Sequence, residues 1–145
     1  REFSESFSNI ILDKLNGKVV NYPDLRSPCG AGVGQIAYNW NGFVYTCDEG
    51  RMLSNQGIEK FRMGTVDNSY EELIESNAVF ETCASSCLEA HKICKDCVYH
   101  SICGICPVYN YKQQGDLVGN PPEMDRCKIL MGQMEYLIRK KLNNE

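Results

Sequence analysis

The 145-residue sequence predicts an α+β domain: a small β-hairpin followed by helices and a cysteine-rich irregular metal-binding region, closed by a C-terminal helix. Three observations carry that prediction. Two runs rich in aromatic and β-branched residues flank Asn41-Gly42 in "QIAYNWNGFVYTC", a strong short-range hairpin signal. Four cysteines crowd "CKDCVYHSICGIC", between Cys94 and Cys106. An apolar stripe at helical spacing runs through residues 123–143.

The elements follow in order. Residues 2–15, "EFSESFSNIILDKL", place Phe3, Phe7, Ile10, Ile11 and Leu15 on one helical face, and Asn16-Gly17-Lys18 ends that helix. The chain opens on Arg1 without a Met, so residues 1–20 read as a helix linking to a missing upstream domain and 21–145 as the domain itself. Residues 22–34, with two prolines and three glycines, read as loop. Strands are expected at 35–40 and 43–47, joined by a type I′ turn, with Trp40, Tyr38 and Tyr45 packing the hairpin face. "DEGRML" then leaves the hairpin, and "FRMGTV" at 61–66 is a short strand or extended segment. A helix over 68–76 is capped by Asn68 or Ser69, with Glu71 or Glu72 near its third position. Residues 78–91 continue helically, which would set Cys83 and Cys87 on one face. Residues 92–122 read as irregular. In the last helix Met124, Cys127, Leu130, Met131, Met134, Leu137, Ile138 and Leu142 form the stripe, and Arg139, Lys140 and Lys141 complement the dipole at its end.

Composition removes several function classes. A net charge of −4 gives no basic surface for nucleic acid or an anionic membrane. The longest apolar runs are a few residues, too short to span a bilayer, and no secretory signal is visible. Nine cysteines is an odd number, so a complete set of disulfides within the chain is impossible. Clustered cysteines in a reducing compartment bind metal or do redox chemistry, which makes cytoplasmic residence the expectation.

A C-x2-C pair can aim two sulfurs at one point while nearby N–H groups stabilise the thiolates. Cys94 with Cys97 is one such pair, and Cys103 with Cys106 is another, with Gly104 permitting a tight approach. Two pairs five residues apart could close one four-thiolate zinc site, although zinc modules usually separate their pairs by roughly fifteen to twenty residues. Alternatively the run is shared between two metal centres that draw further ligands from Cys29, Cys47, Cys83, Cys87 and Cys127. His91 and His100 read as surface or supporting histidines rather than ligands, and Tyr99, Tyr109 and Tyr111 as cover for the metal centres.

Taken together, C-x12-G-x4-C (Cys29, Gly42, Cys47), then C-x2-C-x5-C-x2-C, then Cys127 resembles the seven-cysteine pattern of SPASM domains. These are auxiliary-cluster domains at the C-terminus of many radical SAM peptide-modifying enzymes. The family usually has three residues between the last two cysteines of the run, and this chain has two. The stretch "CASSC…CKDCVYHSICGICPVYNYKQQGDL" further resembles maturases of the His-Xaa-Ser peptide system. The resemblance implies two iron–sulfur clusters, of the 4Fe-4S kind. Cys94, Cys97, Cys103 and Cys127 would hold one. Cys29, Cys47 and Cys106 would hold three corners of the other, whose fourth corner is open or filled by Cys83 or Cys87.

A radical SAM core needs C-x3-C-x2-C, and this chain lacks it: Cys83 and Cys87 have the first spacing, but the next cysteine is Cys94. The chain alone is therefore not expected to cleave S-adenosylmethionine, which belongs to the full-length enzyme. The expected partners are an upstream radical SAM domain in the same polypeptide and a ribosomally made peptide substrate. The competing expectations are a zinc-binding interaction module, which could include a fragment made in air, and a stand-alone iron–sulfur electron carrier.

Overall fold

A computed structural model of the chain describes residues 4–20 and 22–143. Within them the α+β class holds: one three-stranded antiparallel sheet, six α-helices, and short 3-10 turns through the cysteine-rich stretch.

Helix α1 spans Ser6–Leu15, begun by the Glu5 carboxylate, which accepts from the backbone N–H groups of Phe7 (3.0 Å) and Ser8 (2.7 Å). It ends at Asn16, as the Asn-Gly signal predicts. Its apolar face buries Ile11, flanked by Phe7, Ile10 and Leu15, against Leu130, Met134 and Leu137 of the last helix, α6 (Asp125–Leu142). Phe3, expected on that face, lies outside the described residues. The α6 stripe is narrower than predicted, because only one face meets α1: Met131 and Leu142 turn to solvent.

The hairpin consists of β1 (Ala37–Tyr38) and β2 (Phe43–Tyr45), both shorter than the expected 35–40 and 43–47. Strand β3 (Arg62–Thr65) pairs on the other side of β2. The turn also differs. The Gly42 N–H donates to the Asn39 carbonyl (3.0 Å), which makes Trp40 and Asn41 its central residues, and Gly42 follows at φ 81°. A three-residue loop ending in a left-handed glycine thus replaces the two-residue type I′ turn. Trp40 consequently projects from the turn, 91% exposed, and Tyr38 is exposed on the edge strand. Tyr45 alone of the three aromatics is buried.

Three helices depart from the sequence reading. Helix α2 (Asp48–Ser54) follows directly from the hairpin, with Cys47 at its N-cap and Asp48 and Glu49 in the favourable first turn. Helix α3 (Tyr70–Ile74) carries the predicted capping box between Ser69 and Glu72, but α4 is a separate helix over Asn77–Ser86. It stops before Cys87, which is extended (φ −74°, ψ 123°), so Cys83 and Cys87 do not share a helix face. The hydroxyls of Thr82, Ser85 and Ser86 donate back to carbonyls of the preceding turn, an alternative bonding pattern that weakens a helix end. Helix α5 (Pro107–Gln114) occupies part of the stretch read as irregular, started by Pro107 and stopped by left-handed Gly115.

Four of the cysteines are built into, or packed against, the apolar clusters. Cys29 and Cys47 are buried with Tyr45, Leu53, Phe61 and Val108, and Cys106 packs against that group. Cys103 packs against the α1–α6 cluster. A further cluster, Val44, Met63, Leu73 and Val79, backs the sheet.

One contact sets the approach of the cysteine run to the rest. A Cβ on Gly104 would lie 2.7 Å from both the Arg26 nitrogen and the Asp24 carbonyl oxygen. Gly132, within α6, has nothing within 4 Å of its would-be Cβ. Urea unfolding of both variants on one preparation checks the contrast. Gly132→Ala should stabilise by about 0.5–1 kcal/mol. Gly104→Ala should destabilise by about 1–3 kcal/mol or more, since backbone must move.

Candidate metal centre

The run from Cys94 to Cys106 descends in tight turns. The Cys97 N–H donates to the Cys94 carbonyl (3.1 Å), the His100 N–H to the Cys97 carbonyl (3.0 Å), and the Ile102 N–H to the Tyr99 carbonyl (3.0 Å). These turns put Cys94, Cys97 and Cys103 in the wall of one cavity, joined by Cys127 from the first turn of α6. The cavity measures about 50 Å³ and is otherwise walled largely by apolar groups such as Leu88, Ile105, Met124 and Leu130. A second cavity, about 250 Å³, is lined by Cys29, Cys47 and Cys106. Cys106, at the start of α5, borders both. Each space exceeds the ~10–15 Å³ that one water requires.

Cys83 and Cys87 line neither cavity. Cys87 nevertheless stands beside the second one's cysteines, because two hydrogen bonds lash its neighbours to the loop carrying Cys29. The Cys29 N–H donates to Ser86 Oγ (3.2 Å), and the Leu88 N–H donates to Ser27 Oγ (2.9 Å). The Cys87 thiol itself donates to the Cys83 carbonyl (3.5 Å).

All nine cysteines are free thiols, so no disulfide competes for them. As the side chains stand, no three His, Cys, Asp or Glu groups among the described residues are gathered tightly enough to bind a metal ion. The sulfurs are nonetheless sorted electrostatically into two groups. Burial pushes the Cys94 thiol up to about 11, and nearby Cys103, Cys127 and Cys97 push the same way. Burial also raises Cys103 and Cys127, each with a further upward push from Cys97. In the other group, burial pushes Cys47 up to about 12, with Glu49 and Cys106 adding to it. Cys106 is raised by burial as well. Cys87 is raised first by burial, then by Cys83, Glu89 and Cys29. Clustered thiols that are buried, as at Cys47, or half-buried, as at Cys94, Cys103, Cys106 and Cys127, are poor anions without a cation and good ligands with one, since a bound metal deprotonates them. Two backbone donors already point at sulfur: Gly50 N–H at Cys47 (3.4 Å) and Ala31 N–H at Cys29 (3.5 Å).

Charged groups flank the two cavities unequally. Arg126 lines the first, and its Nη2 donates to the Asp24 carbonyl (3.1 Å) and carboxylate (3.2 Å). Its Nε is buried with no hydrogen-bond partner, an arrangement that costs on the order of 1–3 kcal/mol. Lys14 donates to the Leu25 carbonyl close to Cys103. Carboxylates border the second cavity, from Asp24 and Glu49. None of these charges was picked out from the sequence. Arg126, next to Cys127, and Glu49, two residues after Cys47, are the two whose sequence position carries a signal.

The other expected site residues divide. Tyr99 and Tyr109 line the first cavity, whereas Tyr111 packs edge-to-face on Phe61 at 5.8 Å and lines neither. His100 also borders the first cavity, with Nε2 3.2 Å from the Glu89 carboxylate. His91 is buried rather than on the surface, and its Nε2 lies 2.7 Å from the Ser85 carbonyl oxygen.

No protein-family model and no curated protein sequence matches the chain. Solved structures do. Native anSMEcpe with bound AdoMet superposes with a TM-score of 0.59 at 21% identity, over 96% of this chain and 34% of that one. Hexahistidine-tagged anSMEcpe with bound AdoMet gives 0.57 at 21%, over 95% and 33%. Native anSMEcpe with bound AdoMet and the Kp18Cys peptide gives 0.52 at 19%, over 96% and 35%. The chain thus spans about a third of the length of these structures and shares the fold of that third.

Proposed function

We propose that the chain is the auxiliary iron–sulfur domain, of the SPASM kind, of a cytoplasmic radical SAM enzyme that modifies a ribosomally made peptide, of the His-Xaa-Ser class. The observation that carries this reading is the sorting of seven cysteines onto two neighbouring cavities, with Cys106 on the border. That division is the one the seven-cysteine pattern implies. The fold shared with AdoMet-bound anSMEcpe, once with a peptide, supports the same reading. In it, AdoMet sits in an upstream domain of the same polypeptide and the peptide reaches both.

Cys94, Cys97, Cys103 and Cys127 would hold one cluster, and Cys29, Cys47 and Cys106 three corners of the other. Cys87 is the better candidate for the fourth corner than Cys83, because the Ser86 and Ser27 hydrogen bonds fix its neighbours to the Cys29 loop. Binding requires the thiols to lose their protons and swing inward from their present positions. A bound iron–sulfur cluster supplies one-electron redox chemistry and iron as a Lewis acid. The chain's own contribution is an apolar wall that keeps water off the sulfurs, and backbone N–H donors that favour thiolate.

Anaerobic reconstitution followed by iron and sulfide analysis tests this. Two four-iron clusters give about eight iron and about eight sulfide per chain. Cys97→Ala and Cys47→Ala should each remove about half of both, and the double variant nearly all. Zinc without sulfide, in anaerobically prepared protein, would contradict the reading. A second comparison concerns the fourth corner: Cys87→Ala should lower the iron content of the centre that Cys47→Ala removes, and Cys83→Ala should leave it intact. Equal iron in both variants would return that corner to open coordination.

A further inference from the structure

Resting on that two-cluster reading, we propose that Arg126 raises the reduction potential of the group held by Cys94, Cys97, Cys103 and Cys127, its Nε–H being kept for a sulfur of that group.

The placement of Arg126 is costly for the protein on its own terms. It lies in the first turn of the eighteen-residue α6, where the helix dipole disfavours a cation. Asp24 anchors the guanidinium by hydrogen bonds through Nη2 alone, and the Phe7 ring centroid lies 5.8 Å from its central carbon. The Nε is left buried and unpartnered on a side chain that lines the cysteine cavity. A guanidinium offers five donors in a rigid fork, so anchoring one prong fixes the direction of the others. Cavity sulfurs are the acceptors that such a donor would otherwise lack.

The surroundings weight the effect toward one centre: Arg126 lines the cavity of Cys94, Cys97, Cys103 and Cys127, and reaches the second group only through Cys106, which borders both. Lys14 adds a second cation near Cys103. The cavity of Cys29, Cys47 and Cys106 is bordered instead by the carboxylates of Asp24 and Glu49. Reduction adds one negative charge to a cluster. Nearby positive charge and N–H···S donors stabilise that charge and raise the potential, and carboxylates lower it. The two centres should therefore differ, with the higher potential at the cavity that Arg126 lines.

The test is an EPR-monitored titration of the reconstituted 145-residue chain with dithionite, the electron donor, alongside iron and sulfide analysis. Cys97→Ala and Cys47→Ala, each lacking one centre, assign the two potentials. Arg126→Gln should keep the iron content and move the potential lost in Cys97→Ala to a more negative value, by more than it moves the other. Arg126→Lys, which keeps the charge without the Nε–H, should shift it less. Glu49→Gln should raise the other potential and leave the first alone. Full iron loading with both potentials unmoved in Arg126→Gln would overturn the proposal, as would a shift confined to the other centre. Should Arg126→Gln lose iron, Arg126→Lys and Lys14→Gln carry the decision by the same criterion. A wild-type chain that takes up no sulfide would overturn the two-cluster reading itself.

Discussion

The architecture depends on a backbone-to-backbone contact between residues 24–26 and Gly104, too close for any side chain at that glycine. Several otherwise separate elements meet at that short turn. Lys14 from α1 and Arg126 from α6 both donate to its carbonyls, and Leu25 is wholly buried in the α1–α6 cluster. Downstream of it the chain carries Cys29, and opposite it stands the run from Cys94 to Cys106. The turn therefore fixes how the terminal helices, the loop carrying Cys29 and the cysteine run sit relative to one another. Gly104 lies between Cys103, on one cavity, and Cys106, on both.

A second constraint is a conflict of solvation. Burying thiols keeps water away from whatever they hold, yet burial disfavours the thiolate that binding needs. Cys47 and Cys94 show the strain most, pushed to about 12 and about 11. A cationic group in the cavities resolves the conflict, and the fold supplies partial help through N–H donors to Cys29 and Cys47. On the iron–sulfur reading, metal binding and ordering of the cysteine run are one process, because short 3-10 turns alone give that run little intrinsic stability.

Local signals made much of the fold legible. The apolar spacing of α1 and α6, Asn41-Gly42 and the Ser69/Glu72 box each acted through a few adjacent residues and appeared as elements. The departures arose where tertiary partners decided. Ser86 and Ser27 bond across the chain and turn it out of the helix at Cys87, which no periodicity in "CASSCLEAH" reveals. Trp40 reads as a packing aromatic until the turn's hydrogen bond places it at the tip. Helix α5 carries start and stop signals of its own, Pro107 and Gly115, inside a stretch whose cysteines, glycines and prolines otherwise spell irregular chain. Within the site, spacing identified the thiols, because chelation imposes short intervals. The flanking charges are harder to read: Lys14 and Asp24 meet the cysteines only through folding, and Arg126 and Glu49, though close in sequence to Cys127 and Cys47, show their placement on the cavities only in the fold.

Anomalous diffraction at the iron edge, from crystals grown without oxygen, bears most directly on the central claim that this chain holds two separate iron centres. The account predicts two iron peaks. One is enclosed by Cys94, Cys97, Cys103 and Cys127, and the other by Cys29, Cys47 and Cys106. A single peak shared by all the cysteines, or scattering at the zinc edge alone, would contradict it.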